Sequence, residues 1–329
     1  MAGGFPRPFP LFAGDKGAIG RPTDTADCRK EGPPAAMKAT LKRPVRPREL
    51  QDPLNLYLYH PLAWQLARLL ARTPITPNMV SVLGGLMVVG AGIAYAQPGS
   101  LVYPWSAALG MALHMGWHVV DGADGDLARI TGRASPIGEM VDGMCDYFSH
   151  IALYFILAWV LQQQIGWIAW PIMVVAGVGH AVQSNHIEVQ RRSYQWWVYG
   201  VPWLKTTHGE EQAGTRRRGL GALAAAYLNV AAGVTPYSSS IDAAVAAAKD
   251  DPARLESIRK AVRTEMPPLI LIWRFLGPNP RAIVLGLSMF AGSPMWYFIY
   301  QAVALNILLI VSVRAHNLAW KRISAKLAG

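Results

Sequence analysis

"DGADGDLARITGRASPIGEMVDGMCD" occupies residues 121–146 and lies between two long apolar runs. Its four aspartates, Asp121, Asp124, Asp142 and Asp146, stand at the borders of two candidate membrane spans, where an ionisable side chain is costly and calls for a reason. Asp121, Asp124, Gly125 and Ala128 fall at i, i+3, i+4 and i+7, one face of a helix. Gly138, Asp142 and Asp146 fall at i, i+4 and i+8, one face of a second helix. Two neighbouring helices can therefore turn four carboxylates into one cleft. Like charges gathered beside an apolar medium repel, so the cluster calls for cations. Hard oxygen ligands select Mg2+ or Mn2+, with Ca2+ as a further option, and several shared carboxylates suit a pair of ions bridging a pyrophosphate. Gly125 and Gly138 leave room for a bulky group to approach the backbone. Arg129 stands one position round from the acidic face and suits a phosphate oxygen. One or two such acids would read as juxtamembrane charges in water; four in register, with the glycines and the arginine, read as a phosphoryl-transfer site.

The rest of the chain fits a membrane setting. It has 329 residues, 52% of them hydrophobic and only 16% charged, with 12 tryptophans, which is too apolar for an ordinary soluble enzyme. The net charge of +11 comes from basic residues beside apolar runs rather than from one stripe, so a membrane surface is expected as partner and nucleic acid is not. Cys28 and Cys145 have no CxxC spacing and indicate neither a disulfide framework nor a zinc site, and Cys145 is expected to be a small packing residue. The first residues lack the pattern of a removable signal peptide.

An all-α integral membrane fold is predicted, with six transmembrane helices preceded by an interfacial amphipathic helix. Residues 1–52, rich in proline, glycine and basic residues, read as a disordered cytoplasmic tail. Residues 53–74 place Leu62, Leu66, Leu69 and Leu70 at helical spacing, with Trp64, Arg68 and Arg72 at the interface. Residues 75–185 hold spans one to four, 186–266 a partly helical cytoplasmic insertion, and 267–329 the last two spans with a basic tail. The fifth apolar stretch, 281–295, is short and is limited at its start by Pro278, Pro280 and Arg281. Within the insertion, Ser239 with Asp242 fits a capping box variant, and Asp251 before Pro252 fits an N-cap. Lys and Arg in the tail, in the aspartate turn, in the insertion and at the C-terminus put both termini and the acids on the cytoplasmic side.

At the aspartates the sequence resembles the CDP-alcohol phosphotransferases, whose signature D(x)2DG(x)2AR(x)8G(x)3D(x)3D runs here through Asp121, Asp124, Gly125, Ala128, Arg129, Gly138, Asp142 and Asp146. The resemblance implies transfer of a phosphoalcohol group from a CDP-linked donor to the hydroxyl of an acceptor alcohol or lipid, with release of CMP. It implies Asp121, Asp124 and Asp142 as metal ligands and Asp146 as a ligand or the base on the acceptor hydroxyl. Gly125, Ala128 and Gly138 would lie against the cytidine, Arg129 would hold the donor's phosphates, and a homodimer is implied as well. Asp126 lies outside the signature and points off the shared face, so it is expected to be solvated. A cation-binding transporter or a non-catalytic scaffold is the rival reading, but transport sites lie near the bilayer midplane and these acids do not. Orientation without sorting signals fits a bacterial inner membrane.

The acceptor is harder to read. The TG, SP and GE elements after Arg129 resemble choline and ethanolamine phosphotransferases, and "GMC" after Asp142 departs from them. His180, Gln183, Arg191 and Tyr194 fall roughly along one helical side and are candidates for a polar acceptor pocket, the alternative being hydrogen bonds to neighbouring helices. Arg191 and Arg192 with Trp196 and Trp197, and Arg314 with His316, read as interfacial anchors.

Overall fold

The computed structural model describes residues 47–97, 104–201 and 238–328. The tail expected over 1–52 lies outside the described residues as far as residue 46, and so do residues 202–237 of the expected insertion. All regular structure among the described residues is helical: α1 His60–Leu70, α2 Pro77–Tyr95, α3 Trp105–Ile130, α4 Pro136–Ile165, α5 Ala169–Tyr199, α6 Ser238–Ala247, α7 Pro252–Leu276, α8 Pro278–Phe290, α9 Met295–Ile299 and α10 Leu305–Ala328. Two π-helical turns, Asn55–Tyr59 and Tyr300–Ala304, run directly into α1 and α10. Among the described residues, three helical stretches are long and apolar enough to cross a membrane: Pro77–Tyr95, Ile137–Tyr199 and Met295–Leu327. The second contains both α4 and α5, joined by a short 3-10 turn at Gly166–Ile168 with Gly166 at φ 73°.

Local chemistry sets the helix boundaries around the acids. Thr76 caps α2, accepting from the Met79 N–H, with Pro77 in the first position. α3 ends where the Thr131 hydroxyl bonds the Leu127 carbonyl, and Gly132, at φ 66°, turns the chain back. Ser135 then caps α4 by accepting from the Gly138 N–H at 3.0 Å, with Pro136 following it. The SP pair inside the quoted stretch is therefore the start signal of the helix that carries Asp142 and Asp146.

Small residues bring these helices together, as is common where no water drives apolar association. A Cβ on Gly110 of α3 would stand 2.5 Å from the Tyr95 ring of α2, and one on Gly85 would stand 3.4 Å from the Cys145 carbonyl of α4. α1 packs on α3 through Ala63 and Ala67, both fully buried, against Ala123 and Leu127. The leucines that suggested an amphipathic helix divide differently: Leu62 and Leu69 are exposed, and the alanines form the buried stripe.

A second apolar core joins the far end of α5 to α6, α7 and α10. Tyr194 and Trp197 meet Ile241, Ile258, Val262 and Trp320 there. α5 continues unbroken to Tyr199, so residues 186–199 extend a helix rather than begin a separate element. Asp251 caps α7, accepting from the Arg254 N–H at 3.0 Å. Asp242 lies inside α6 and accepts from the Trp197 indole at 2.7 Å. α8 has 13 residues, about 20 Å at the usual rise, short of a bilayer core, and it abuts α7 at Gly277.

Candidate active site

α3 and α4, reversed by the Gly132 turn, bring the acids to one place. One carboxylate oxygen from each of Asp121, Asp142 and Asp146 lies within 4.8 Å of the others, and all three residues are half-buried. Asp124 sits beside them within hydrogen-bond reach of Asp142 and is 5% exposed. Its carboxylate is fixed from α2: Ser81 Oγ donates to Oδ2 at 2.5 Å, while the Gly125 N–H bonds the other oxygen. An all-oxygen donor set drawn from two helices, with no thiolate or imidazole in it, matches a hard divalent cation.

Asp146 is held by a residue absent from the sequence reading. Trp117 Nε1 donates to Asp146 Oδ1 at 3.1 Å. Trp117 stands four positions before Asp121, so the same helical period that grouped the acids extends to it. The Asp146 backbone carbonyl, which only accepts, takes the Ser149 hydroxyl at 3.0 Å and His150 Nδ1 at 2.8 Å, so His150 carries its proton on Nδ1. The His150 ring stands edge-on to Trp117 with centroids 4.7 Å apart.

Arg129 and Asp126 differ from expectation. Asp126 is 2% exposed rather than solvated, and its carboxylate pairs with Arg129 at 2.5 Å. The reason is packing: Gly122 shares the helix face of Asp126, and a Cβ there would stand 3.1 Å from Ala63 of α1. The side chain of Arg129 is 48% exposed, which keeps guanidinium donors available beyond Asp126. Gly125 lies under that guanidinium, at 3.4 Å from a Cβ built there, and a Cβ on Gly138 would crowd Ser135 Oγ at 3.3 Å. Ala128 follows on the same face and is half-buried.

The four candidates of α5 are not gathered into one pocket. His180 Nδ1 meets the Tyr154 hydroxyl at 2.9 Å, Gln183 bonds Asn306 at 2.8 Å, Arg191 pairs with Glu188 at 2.7 Å, and Tyr194 donates to Glu49 at 2.6 Å. Arg192 also pairs with Glu188, at 2.5 Å. Arg314 is exposed, as an anchor requires. His316 is fully buried and accepts from the Trp273 indole at 2.9 Å, because α7 covers that side of α10.

With this geometry in place, the comparisons with known proteins are specific. Residues 74–203 match the family described as CDP-alcohol phosphatidyltransferase. Over 116 residues the chain is 30% identical to ethanolaminephosphotransferase 1 of Pongo abelii and of Homo sapiens, covering 32% of this chain and 28% of each of those proteins. Over 96 residues it is 27% identical to phosphatidylinositol phosphate synthase of Corynebacterium glutamicum, covering 29% of this chain and 41% of that protein. The chain thus spans less than half the length of the curated relatives it matches. The matched stretch holds α2 to α5, all eight signature positions and the three-carboxylate cluster, so the likeness to the CDP-alcohol phosphatidyltransferase family falls on residues 74–203 and includes the whole acidic site.

Proposed function

We propose that the protein is an integral membrane CDP-alcohol phosphotransferase that moves a phosphoalcohol group from a CDP-linked donor to the hydroxyl of an acceptor, releasing CMP, in the synthesis of a phospholipid or related phosphodiester. The observation that carries this reading is the convergence of Asp121, Asp142 and Asp146 from two helices on one point, within 4.8 Å. Asp121, Asp124 and Asp142 would hold Mg2+ or Mn2+, with Asp146 completing the set, and a pair of ions is the expected complement. Bound there, the metal would neutralise the charge of the transferred and departing phosphates.

The chain's own residues would do the rest. Arg129, anchored by Asp126 and half-exposed, would orient the donor's phosphates. Gly125, Ala128 and Gly138 would leave the cytidine room along α3 and α4. Asp146, steadied by Trp117, would take the acceptor's hydroxyl proton. The acceptor oxygen then forms a bond to the donor's distal phosphorus while the bond from that phosphorus to the CMP oxygen breaks. Relatives named ethanolaminephosphotransferase and phosphatidylinositol phosphate synthase share this stretch, which supports the reaction class.

We further propose six spans, with the acids and both termini cytoplasmic, α1 lying on the membrane surface, and α6 with the first half of α7 forming a cytoplasmic subdomain. A homodimer in a bacterial inner membrane is the proposed setting. The test is CMP release by purified protein with Mg2+ across a matrix of CDP-alcohols and acceptors, beside Asp146→Asn. Acceptor-dependent CMP that disappears in the variant and on chelation is the expected result; no CMP above the variant's background from folded protein would overturn the reading.

A further inference from the structure

Trp117 holds Asp146, and the rings packed behind Trp117 end on a residue outside the stretch 74–203. His118 packs on Trp117 with ring centroids 4.5 Å apart, and Tyr59 stacks on His118 at 5.0 Å with 30° between the planes. Tyr59 is 3% exposed. Among the described residues neither the Tyr59 hydroxyl nor His118 Nε2 has a hydrogen-bond partner, so the faces of the rings, not their polar atoms, make this contact. An indole packed against rings on both sides cannot swing away from its carboxylate without displacing them.

The chain seats Tyr59 by a device of its own. Tyr59 closes the π turn Asn55–Tyr59 and shares a helical face with Ala63 and Ala67, both fully buried. That stripe advances in step with α3, since Tyr59 meets His118 and Ala63 meets the Gly122 position. A π turn carries an extra residue, which offsets Asn55 from the face of Tyr59, and such turns are frequent at functional sites. Asn55 reaches α8 instead. There Asn279 Nδ2, 3% exposed, donates to Asp52 Oδ2 at 2.6 Å and to Asn55 Oδ1 at 3.2 Å. Asp52 Oδ1 accepts from the Asn55 N–H at 3.0 Å. Three residues earlier, Glu49 Oε1 accepts from the hydroxyls of Tyr194 and Tyr199 of α5, each at 2.6 Å. Residues 49–59 thus form a strap pinned to α5 and α8, with a ring at its end that leans on the neighbours of the acidic site.

We propose that Tyr59 is a positioning residue for Asp146, acting through His118 and Trp117, and that the clip of Asp52 and Asn55 on Asn279 holds it in place. Packed side chains with no free volume between them carry such coupling. The inference rests on the phosphoryl-transfer reading for the task of Asp146, and it adds to that site a segment that the signature does not contain.

The test uses full-length protein in detergent, with thermal unfolding to verify that each variant is folded. Two quantities are read: kcat with the CDP-alcohol and acceptor pair that the wild type uses, and Mn2+ affinity without substrates, from the EPR signal of the free ion. Tyr59→Leu keeps apolar bulk and loses the flat ring. It lowers kcat about 10-fold and weakens Mn2+ binding about three- to tenfold, while KM for donor and acceptor moves less than about threefold. Tyr59→Phe, which keeps the ring, recovers most of both losses. Asp52→Ala lowers kcat about threefold by itself and less than about 1.5-fold on the Tyr59→Leu background, as residues acting along one path do. Unchanged kcat and Mn2+ affinity in folded Tyr59→Leu, no recovery in Tyr59→Phe, or additive losses in the double variant overturns the proposal and leaves the transfer reading standing. If Tyr59→Leu does not fold, Asp52→Ala decides: lowered kcat with weakened Mn2+ binding supports the proposal, and two unchanged values overturn it. No CMP from the wild type with any pair sinks the transfer reading, and the Mn2+ comparison then decides on Tyr59 alone. A wild type that also binds no Mn2+ sinks both.

Discussion

The indole of Trp117 donates to Asp146 Oδ1 at 3.1 Å, so one oxygen of the proposed base is committed to a side chain on the opposite helix. The bond fixes the rotamer of Asp146 without adding charge. Trp117 is itself 7% exposed and packs between the tilted ring of His118 and the edge-on ring of His150, so it has little freedom to follow a wandering carboxylate. Trp117→Phe keeps most of the packing and removes the donor. The expected outcome is a fall in kcat of about 10- to 100-fold, the usual scale for losing an outer partner of a metal-site carboxylate. Titration of the variant with Mn2+ should also show weakened activation; an unchanged kcat in folded protein would remove Trp117 from the site.

The pair Asp126 and Arg129 gives a second expectation. Because Asp126 is buried and Arg129 half-exposed, the carboxylate acts as an anchor and the guanidinium as the working end. Asp126→Asn should raise KM for the CDP donor by about 10-fold through loss of a charge-assisted bond, with a smaller effect on kcat. Arg129→Gln should raise it further. Steady-state kinetics with the donor varied at fixed acceptor checks both, and a donor KM within error of wild type in Asp126→Asn would show that Arg129 is placed by other contacts.

Much of the site was legible because the carboxylates lie at 3.6-residue spacing on two helices separated by a short turn, a pattern that survives any detail of packing. Trp117 obeys the same period, but a neutral indole in an apolar run carries nothing that marks it as a carboxylate's partner. Asp126 was misread for a different reason. On an isolated helix its face is solvent, and in the folded chain α1 packs closely on that side of α3, with Ala63 against the Gly122 position. His316 fails the same way: a histidine near the end of an apolar run reads as interfacial, and the neighbour that buries it, Trp273, lies 43 positions away in sequence. Arg281 limits the start of a span in the sequence, and only the tertiary contacts with Gln183 and Ser184 of α5 show it as a buried cation.

Tight packing between α2 and α3 predicts a strictly structural variant. The position of Gly110 against the Tyr95 ring leaves no space for a methyl group, since a Cβ would approach within 2.5 Å. Gly110→Ala should destabilise the protein by about 1–3 kcal/mol through overpacking. Thermal unfolding in detergent should show a lowered Tm, and no change would mean that Tyr95 moves aside freely.

Outside the apolar stretches, Glu265 of α7 accepts from Arg322 of α10 at 2.7 and 3.0 Å and from Lys326 at 3.2 Å. The Arg322 guanidinium first, and Lys326 after it, hold the Glu265 carboxyl below its ordinary range. A depressed carboxyl contributes stability that is present above the unfolded value, about 4.3, and is lost as pH falls through the folded one. The Tm difference between wild type and Glu265→Gln should therefore be level above about pH 5 and shrink below about pH 4. Both basic partners are more than half exposed, so the whole effect should stay below about 1 kcal/mol. A difference that grows on acidification would contradict the assignment.

Metal binding itself is testable without turnover. Asp121, Asp142 and Asp146 crowd three carboxylates within 4.8 Å with Asp124 alongside, so the metal-free site carries mutual repulsion that a divalent cation would remove. A ligand that binds only the folded state stabilises it by RT ln(1 + [L]/Kd), about 2.7 kcal/mol at a hundredfold excess over Kd. Mn2+ or Mg2+ should therefore raise Tm in a concentration-dependent way, and Ca2+ should do so less well if the site prefers the smaller ions. Asp142→Asn should respond differently on both counts. It relieves repulsion and so should raise Tm in chelator, yet it removes a ligand and so should flatten the rise with Mn2+. A variant that lowers Tm in chelator would mean that Asp142 is held by the fold itself and not by a cation, and a wild type indifferent to every divalent ion would remove the metal from the site.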